Sequence, residues 1–247
     1  AVNVTVTSSI AGIIIPPSHN MIIYAVAAGG SLSISKLFLA GFFPGVLLCL
    51  CLAAVSYLVA VKRGYTSEVF PGFVILFRDF LTALPGLFTA IIIVGGVLSG
   101  IFTVTESGAF GAIYAFLATI IVYRALTWDK FKLAVTNSVR TTSMVMILIA
   151  CSGAFAYLLT FYQVPEKMAS FLTGISDNPV VILLMINLML LFLGMIMDMA
   201  ALILICTPIF LPIAVSIGID PYQFGMLLMM NLGLGLCTPP IGSCLFV

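Results

Sequence analysis

The sequence predicts an all-α integral membrane protein, a multi-span helical bundle with broken helices and a re-entrant hairpin. Three observations lead there. Of 247 residues, 63% are hydrophobic and 7% charged, with a mean hydropathy of +1.32, whereas a soluble domain carries about 25% charged and roughly 45–50% apolar residues. The few charges separate long charge-free runs, and about 17–25 such residues cross a ~30 Å hydrocarbon core. The runs are continuous rather than alternating, which removes a β-barrel from consideration.

Charge and cysteine usage narrow the function classes. Nine Lys/Arg stand against eight Asp/Glu, a net charge of +1, so the clustered cations of a nucleic-acid binder are missing. Six cysteines lie in apolar runs without a CxxC pair, and His19 is the sole histidine. That composition argues against a zinc site. The chain starts without Met and stops within the apolar Leu245-Phe246-Val247; it is expected to be a segment of a longer protein.

Taken in order, residues 1–30 form a broken helix, because Gly12 and Pro16-Pro17 interrupt the apolar run. A transmembrane helix follows over 31–61, its charge-free part being 37–61. In 62–79, Phe70, Phe73, Val74 and Phe77 recur at helical spacing beside Glu68, Arg78 and Asp79. This is either a helix along the cytoplasmic interface or a lead-in to the next span. Scaffold helices then occupy 80–161. Placing Lys62-Arg63 and the group Arg124, Lys130, Lys132 and Arg140 in the cytoplasm satisfies the positive-inside rule with two crossings between them.

The turn at Thr103-Val104-Thr105-Glu106 then faces outside, where Thr103 or Thr105 caps the next helix and Glu106 suits its first turn. An outer loop over 162–178 carries Glu166, Lys167 and Asp177. Residues 179–219 are either two full spans or one re-entrant hairpin turning at Asp198. The minimal polar turn and the two prolines, Pro208 and Pro212, favour the hairpin. A second broken helix closes the chain over 220–247.

The breaks are the informative feature. A shift of 223 positions lays Gly12 on Gly235 and Pro16-Pro17 on Pro239-Pro240. Each Pro-Pro pair removes two backbone donors and restricts the residue before it. The freed carbonyls cannot face lipid, so they line a cavity or meet an ion, unless neighbouring helices satisfy two ordinary kinks. Paired breaks are the pattern of a secondary transporter with internal inverted repeats. Asp198 is a functional candidate at membrane depth and an N-cap candidate, two compatible roles. His19-Asn20 suits either local hydrogen bonding or proton relay.

Four motifs in order carry a family resemblance: Gly12-Ile13-Ile14-Ile15-Pro16-Pro17-Ser18, Gly100-Ile101-Phe102-Thr103-Val104-Thr105-Glu106, Asp177-Asn178-Pro179-Val180-Val181 and Gly235-Leu236-Cys237-Thr238-Pro239-Pro240. The chain resembles the large membrane (permease) subunit of TRAP (tripartite ATP-independent periplasmic) transporters, in its central and C-terminal portion. The resemblance implies an elevator-type, sodium-driven importer of organic anions in the bacterial inner membrane. It also implies a small membrane subunit and a periplasmic substrate-binding protein as partners. Na+, as coupling ion, is placed by the resemblance at Gly12, Ile15 and Ser18 in one site, and at Gly194, Gly235, Thr238 and Ile241 in another. Ser8, Ser9, Asn231 and Asp198 are substrate-cavity candidates. The family's earlier helices, including the hairpin completing the first ion site, precede Ala1, so the chain alone is not expected to transport.

Other classes predict different behaviour. A sodium/carboxylate elevator symporter would work without a binding protein. An intramembrane aspartyl protease would need a second carboxylate at the depth of Asp198. A membrane assembly module would show no response to sodium. No Walker-type GxxxxGK[ST] is present, so ATP hydrolysis has no support.

Overall fold

The computed structural model describes residues 2–64, 72–176 and 178–238, and shows helices but no strand among them. The helices are α1 (Val2–Ile14), α2 (His19–Ala27), α3 (Ile34–Arg63), α4 (Phe73–Leu98), α5 (Val104–Ile121), α6 (Trp128–Phe161), α7 (Val164–Ile175), α8 (Pro179–Gly194), α9 (Met199–Ser216) and α10 (Pro221–Leu236). Five of these, α3, α4, α5, α6 and α9, are long and apolar enough to cross a membrane. Val4–Ile14 and His19–Ala27 qualify together as a broken span bent by 48°. The chain is thus a multi-pass helical membrane protein.

Two segments differ from expectation. The segment expected as a loop at 162–178 contains α7, whose Pro165 stands at the N-terminal turn with Glu166 beside it. Proline fits that position and a carboxylate complements the helix dipole there; Leu172 is buried on its inner side. In 62–79, Phe73 to Asp79 are the first turns of α4 itself, while Glu68 and Phe70 lie outside the described residues.

The chain divides into two compact units, Ala53–Ser143 and the pair Ala1–Leu52 with Met144–Val247. In the first, α4 and α5 pack closely after a turn at Gly100, where φ is +71°. Thr103 and Glu106 form a reciprocal capping box at the start of α5. Gly96 faces Ser107 and Gly111 faces Ile93, small residues that let the two backbones approach. Ser107, fully buried, donates to the Ile92 carbonyl at 3.1 Å and the Ile93 carbonyl at 2.7 Å. Replacing Ser107 with Ala is expected to lower stability by about 1 kcal/mol, read as a lower midpoint in thermal unfolding of the detergent-solubilised protein.

In the other unit α10 is central. Tyr24 lies on Gly225 and donates to the Pro221 carbonyl at 2.7 Å, Ile10 and Ile13 lie on Gly233, and the Cys237 thiol reaches the Val6 carbonyl at 3.7 Å. Residue numbers fall along α1 and α2 as they rise along α10, so the broken helix runs antiparallel to α10 over its length. Helix α8 runs with α10 instead: Asn187 meets Asn231, and Gly194 meets Gly235. The buried apolar side chains gather around these contacts, with Ile14, Met21, Tyr24, Leu190, Leu228 and Leu232 inaccessible. Gly41 of α3 faces Met21, the Ile14 carbonyl and Met226, so a side chain there would collide with the broken helix.

Candidate functional site

The first break starts with a shortage of donors. Helical carbonyls of Gly12 and Ile13 require N–H groups at positions 16 and 17, and prolines supply none. The structure deals with the two differently. Ser18 turns its hydroxyl back to the Ile13 carbonyl at 2.5 Å. Beside Gly12 there is open space: a Cβ there would meet no neighbouring element within 4 Å among the described residues. Ser18 itself is buried. Having donated its proton, its oxygen can serve only as an acceptor outward, toward a cation or a donor.

The described end of α10 also carries a hydroxyl, ahead of its prolines rather than after them. The Thr238 hydroxyl donates to the Leu234 carbonyl at 2.5 Å, and the Thr238 N–H to the Gly235 carbonyl at 2.9 Å. Gly235 would otherwise look to position 239, again a proline. Pro239, Pro240 and Ile241 lie outside the described residues. The first break and the end of α10 therefore each present a hydroxyl oxygen whose proton is committed to a hydrogen bond with the preceding helix.

The segment between α8 and α9 joins the two. At one end, Gly194 touches the α10 terminus: a Cβ on Gly235 would stand 2.7 Å from the Gly194 carbonyl carbon and 2.8 Å from its Cα. At the other, Met199 opens α9, and its sulfur accepts from the buried Asn20 amide at 3.5 Å. Asn20 is in the first turn of α2, just past the first break. The turn Met195–Asp198 thus runs from one break to the other. Asp198 caps α9, its carboxylate accepting from the Ala200 N–H at 3.0 Å, and is exposed.

The structure therefore brings Gly194, Gly235 and Thr238 together, and sets Gly12, Ile15 and Ser18 around the first break. Ser8 and Ser9 lie on an exposed face of α1, with their hydroxyls donating to the Thr5 and Val6 carbonyls at 3.0 and 2.6 Å. Asn231 is buried and donates to the Asn187 backbone carbonyl at 2.9 Å and to its side-chain oxygen at 2.5 Å. Asn187 escaped the sequence reading. Its signal was a lone amide in the otherwise apolar α8, a group that in lipid seeks a partner on a neighbouring helix. Among the described residues, no three of His, Cys, Asp or Glu gather to hold a metal ion. An ion at either break would be met by carbonyl and hydroxyl oxygens.

The asparagine pair fixes the register of α8 on α10. Changing Asn231 to Ala is expected to cost about 0.6–1.7 kcal/mol, the range for interhelical hydrogen bonds in membranes. The Asn187→Ala/Asn231→Ala double variant is expected to lose about as much as Asn231→Ala alone, and more than Asn187→Ala, which leaves the bond from Asn231 to the backbone carbonyl of position 187 in place. Unfolding midpoints of the four proteins of this cycle test it; strict additivity would disprove the coupling.

Comparison with known proteins sets this geometry in context. The profile of the family described as tripartite ATP-independent periplasmic transporter, DctM component, matches residues 1–247. The chain is 41% identical over 240 residues to the C4-dicarboxylate TRAP transporter large permease protein DctM of Pseudomonas aeruginosa, covering 96% of this chain and 55% of that protein. It is 39% identical over 243 residues to the sialic acid TRAP transporter large permease protein SiaM of Vibrio cholerae, covering 98% and 56%. An uncharacterized protein of Salmonella typhimurium, YgiK, is 44% identical over 247 residues, covering 99% and 56%. The chain spans about half the length of the curated relatives it matches.

Proposed function

The chain belongs to the DctM-component family of tripartite ATP-independent periplasmic transporters, membrane transport proteins and not enzymes, and from that premise we propose that the protein containing it performs sodium-coupled secondary uptake of an organic anion across the bacterial inner membrane. The anion is a carboxylate of the class named for the relatives, C4-dicarboxylate or sialic acid, or a keto or sugar acid. A periplasmic binding protein delivers it, and a small membrane subunit completes the permease. Movement is of the elevator type, the unit holding both breaks carrying the site across the membrane.

The observation that carries this reading is the pair of hydroxyls, Ser18 beyond the first break and Thr238 at the end of α10, that each donate a hydrogen bond to a carbonyl of the preceding helix. Such oxygens, with the carbonyl of Gly12, suit an alkali cation: unwound backbone oxygens at discontinuous helices are the usual sodium ligands of secondary transporters. The N-termini of α2 and α9, joined by the Asn20–Met199 contact, offer positive dipole ends to a carboxylate.

The test is uptake into proteoliposomes holding the whole permease and its small subunit, with labelled C4-dicarboxylate or sialic acid and the cognate binding protein outside. Uptake is expected only with an inward sodium gradient and only with the binding protein present. Uptake driven equally well by a potassium gradient would remove the sodium coupling. Uptake without the binding protein would point to a stand-alone symporter.

A further inference from the structure

The first turns of α6 have features that ion and substrate binding leave unused. Arg124, Lys130, Lys132 and Arg140 stand within seventeen residues with Asp129 as the one carboxylate, and all four cations are exposed. Beside them is Trp128, the single tryptophan of the chain, 68% exposed. The Lys132 ammonium lies 5.8 Å from the centre of its ring. Lys130 folds back onto the Ala125 carbonyl at 3.2 Å, closing the connection after α5 on itself.

Depth follows from one contact and a helix length. Phe131 packs on Phe116 of α5, their ring centres 5.7 Å apart. Phe116 is little more than a turn from the end of α5, an 18-residue helix that just spans the hydrocarbon at ~1.5 Å per residue. The start of α6 is therefore held at the level of the membrane surface. From there to Arg140 the polar residues Thr136 and Asn137 and the cations keep the helix out of the hydrocarbon. Trp128, Phe131, Val135 and Val139 meanwhile recur at spacings of three, four and four along one stripe. Because α6 is one continuous helix from Trp128 to Phe161, this stretch is the end of the span, and its apolar stripe with flanking cations and indole suits the headgroup layer. The charge-free 141–161 that follows is long enough to cross by itself.

We propose that Arg124, Lys130 and Lys132, set around Trp128, form a docking surface for anionic phospholipid headgroups of the cytoplasmic leaflet. Charge selects the occupant. Clustered cations beside a span attract acidic lipids within a Debye length of the surface, and indole prefers the headgroup layer, where the ring is anchored and its edge stays polar. The Lys132–Trp128 pairing holds one ammonium at the ring, leaving its donors for phosphate oxygens. This surface anchors the unit Ala53–Ser143 in the bilayer and does not depend on the substrate or the coupling ion.

Trp128 reports on its own site. The whole permease is reconstituted in phosphatidylcholine vesicles containing equal fractions of dibrominated phosphatidylglycerol or dibrominated phosphatidylcholine. Trp128 emission is isolated as the difference between the parent protein and Trp128→Phe. Brominated phosphatidylglycerol is expected to quench it preferentially, with the preference falling about fivefold for each cation neutralised in Arg124→Gln, Lys130→Gln and Lys132→Gln. High salt is expected to reduce it as well, and Lys132→Arg to keep it. Native mass spectrometry of the parent and the triple glutamine variant gives a second reading, as retained phosphatidylglycerol against phosphatidylcholine. Equal quenching by the two lipids overturns the headgroup selectivity, and quenching by neither places Trp128 beneath protein and overturns the proposal outright.

Discussion

Replacing Gly235 with Ala is expected to be far more damaging than replacing Gly194 with Ala, although the two glycines face each other. A Cβ on Gly235 points at backbone, 2.7 Å from the Gly194 carbonyl carbon and 2.8 Å from its Cα. Backbone cannot rotate away, so α8 and α10 must separate. Overpacking of this kind costs about 1–3 kcal/mol and sometimes more, and here it falls one turn before Thr238, whose N–H bonds the Gly235 carbonyl. A Cβ on Gly194 meets Gly235 Cα at 3.3 Å and Leu232 at 3.4 Å, tight contacts that a small shift relieves. Alanine also gains about 0.5–1 kcal/mol over glycine inside a helix, which offsets that strain. Gly235→Ala should therefore lower the unfolding midpoint and cut sodium-driven uptake at least about tenfold, since 1.4 kcal/mol is already a factor of ten. Gly194→Ala should leave both close to the parent. The reverse order would show that the helix ends are not in backbone contact.

How much of this was legible in the sequence depends on whether the signal is local. Membrane-spanning helices follow from charge-free length, and the break before α2 follows from prolines that carry no N–H. Caps are equally local: Asp198 and Glu106 stand two and three residues from the groups they bind. Asn187 and Asn231 are 44 residues apart, and their pairing needs the register of α8 on α10, which no single segment contains. Ser8 and Ser9 show the converse. A serine in a helix can bond the carbonyl three residues back as readily as it lines a cavity, and sequence does not separate the two. The facing of Gly194 and Gly235 was implied only through a family resemblance, because a glycine within an apolar run has several uses.

Those contacts also explain why the two breaks are linked. Helix α8 is held to α10 at Asn187–Asn231 and again at Gly194–Gly235, so its end cannot drift from the second break. Five residues later Met199 rests on Asn20 at the first. The short turn Met195–Asp198 therefore spans from the end of α10 to the first break. This turn is held at its far end by the Asp198 cap.

Removing both prolines of the first break separates its structural cost from its use. In a Pro16→Ala/Pro17→Ala variant the Gly12 and Ile13 carbonyls regain i+4 donors, and Ser18 no longer has a carbonyl to serve. The 48° bend between Val4–Ile14 and His19–Ala27 should straighten into one continuous helix. A proline inside a helix costs about 3 kcal/mol, so this change removes a local penalty. The contacts of Tyr24 with Pro221 and of Ile10 with Gly233 limit the gain, because a straightened helix cannot follow α10 at both ends. The expected result is an unfolding midpoint no lower than that of the parent, together with loss of the stabilisation that sodium confers and of sodium-driven uptake. That combination would mean the break exists for the oxygens it exposes. A variant that unfolds earlier yet keeps its response to sodium would mean the opposite: the bend serves only to wrap α1 and α2 along α10, and the coupling ion is held elsewhere.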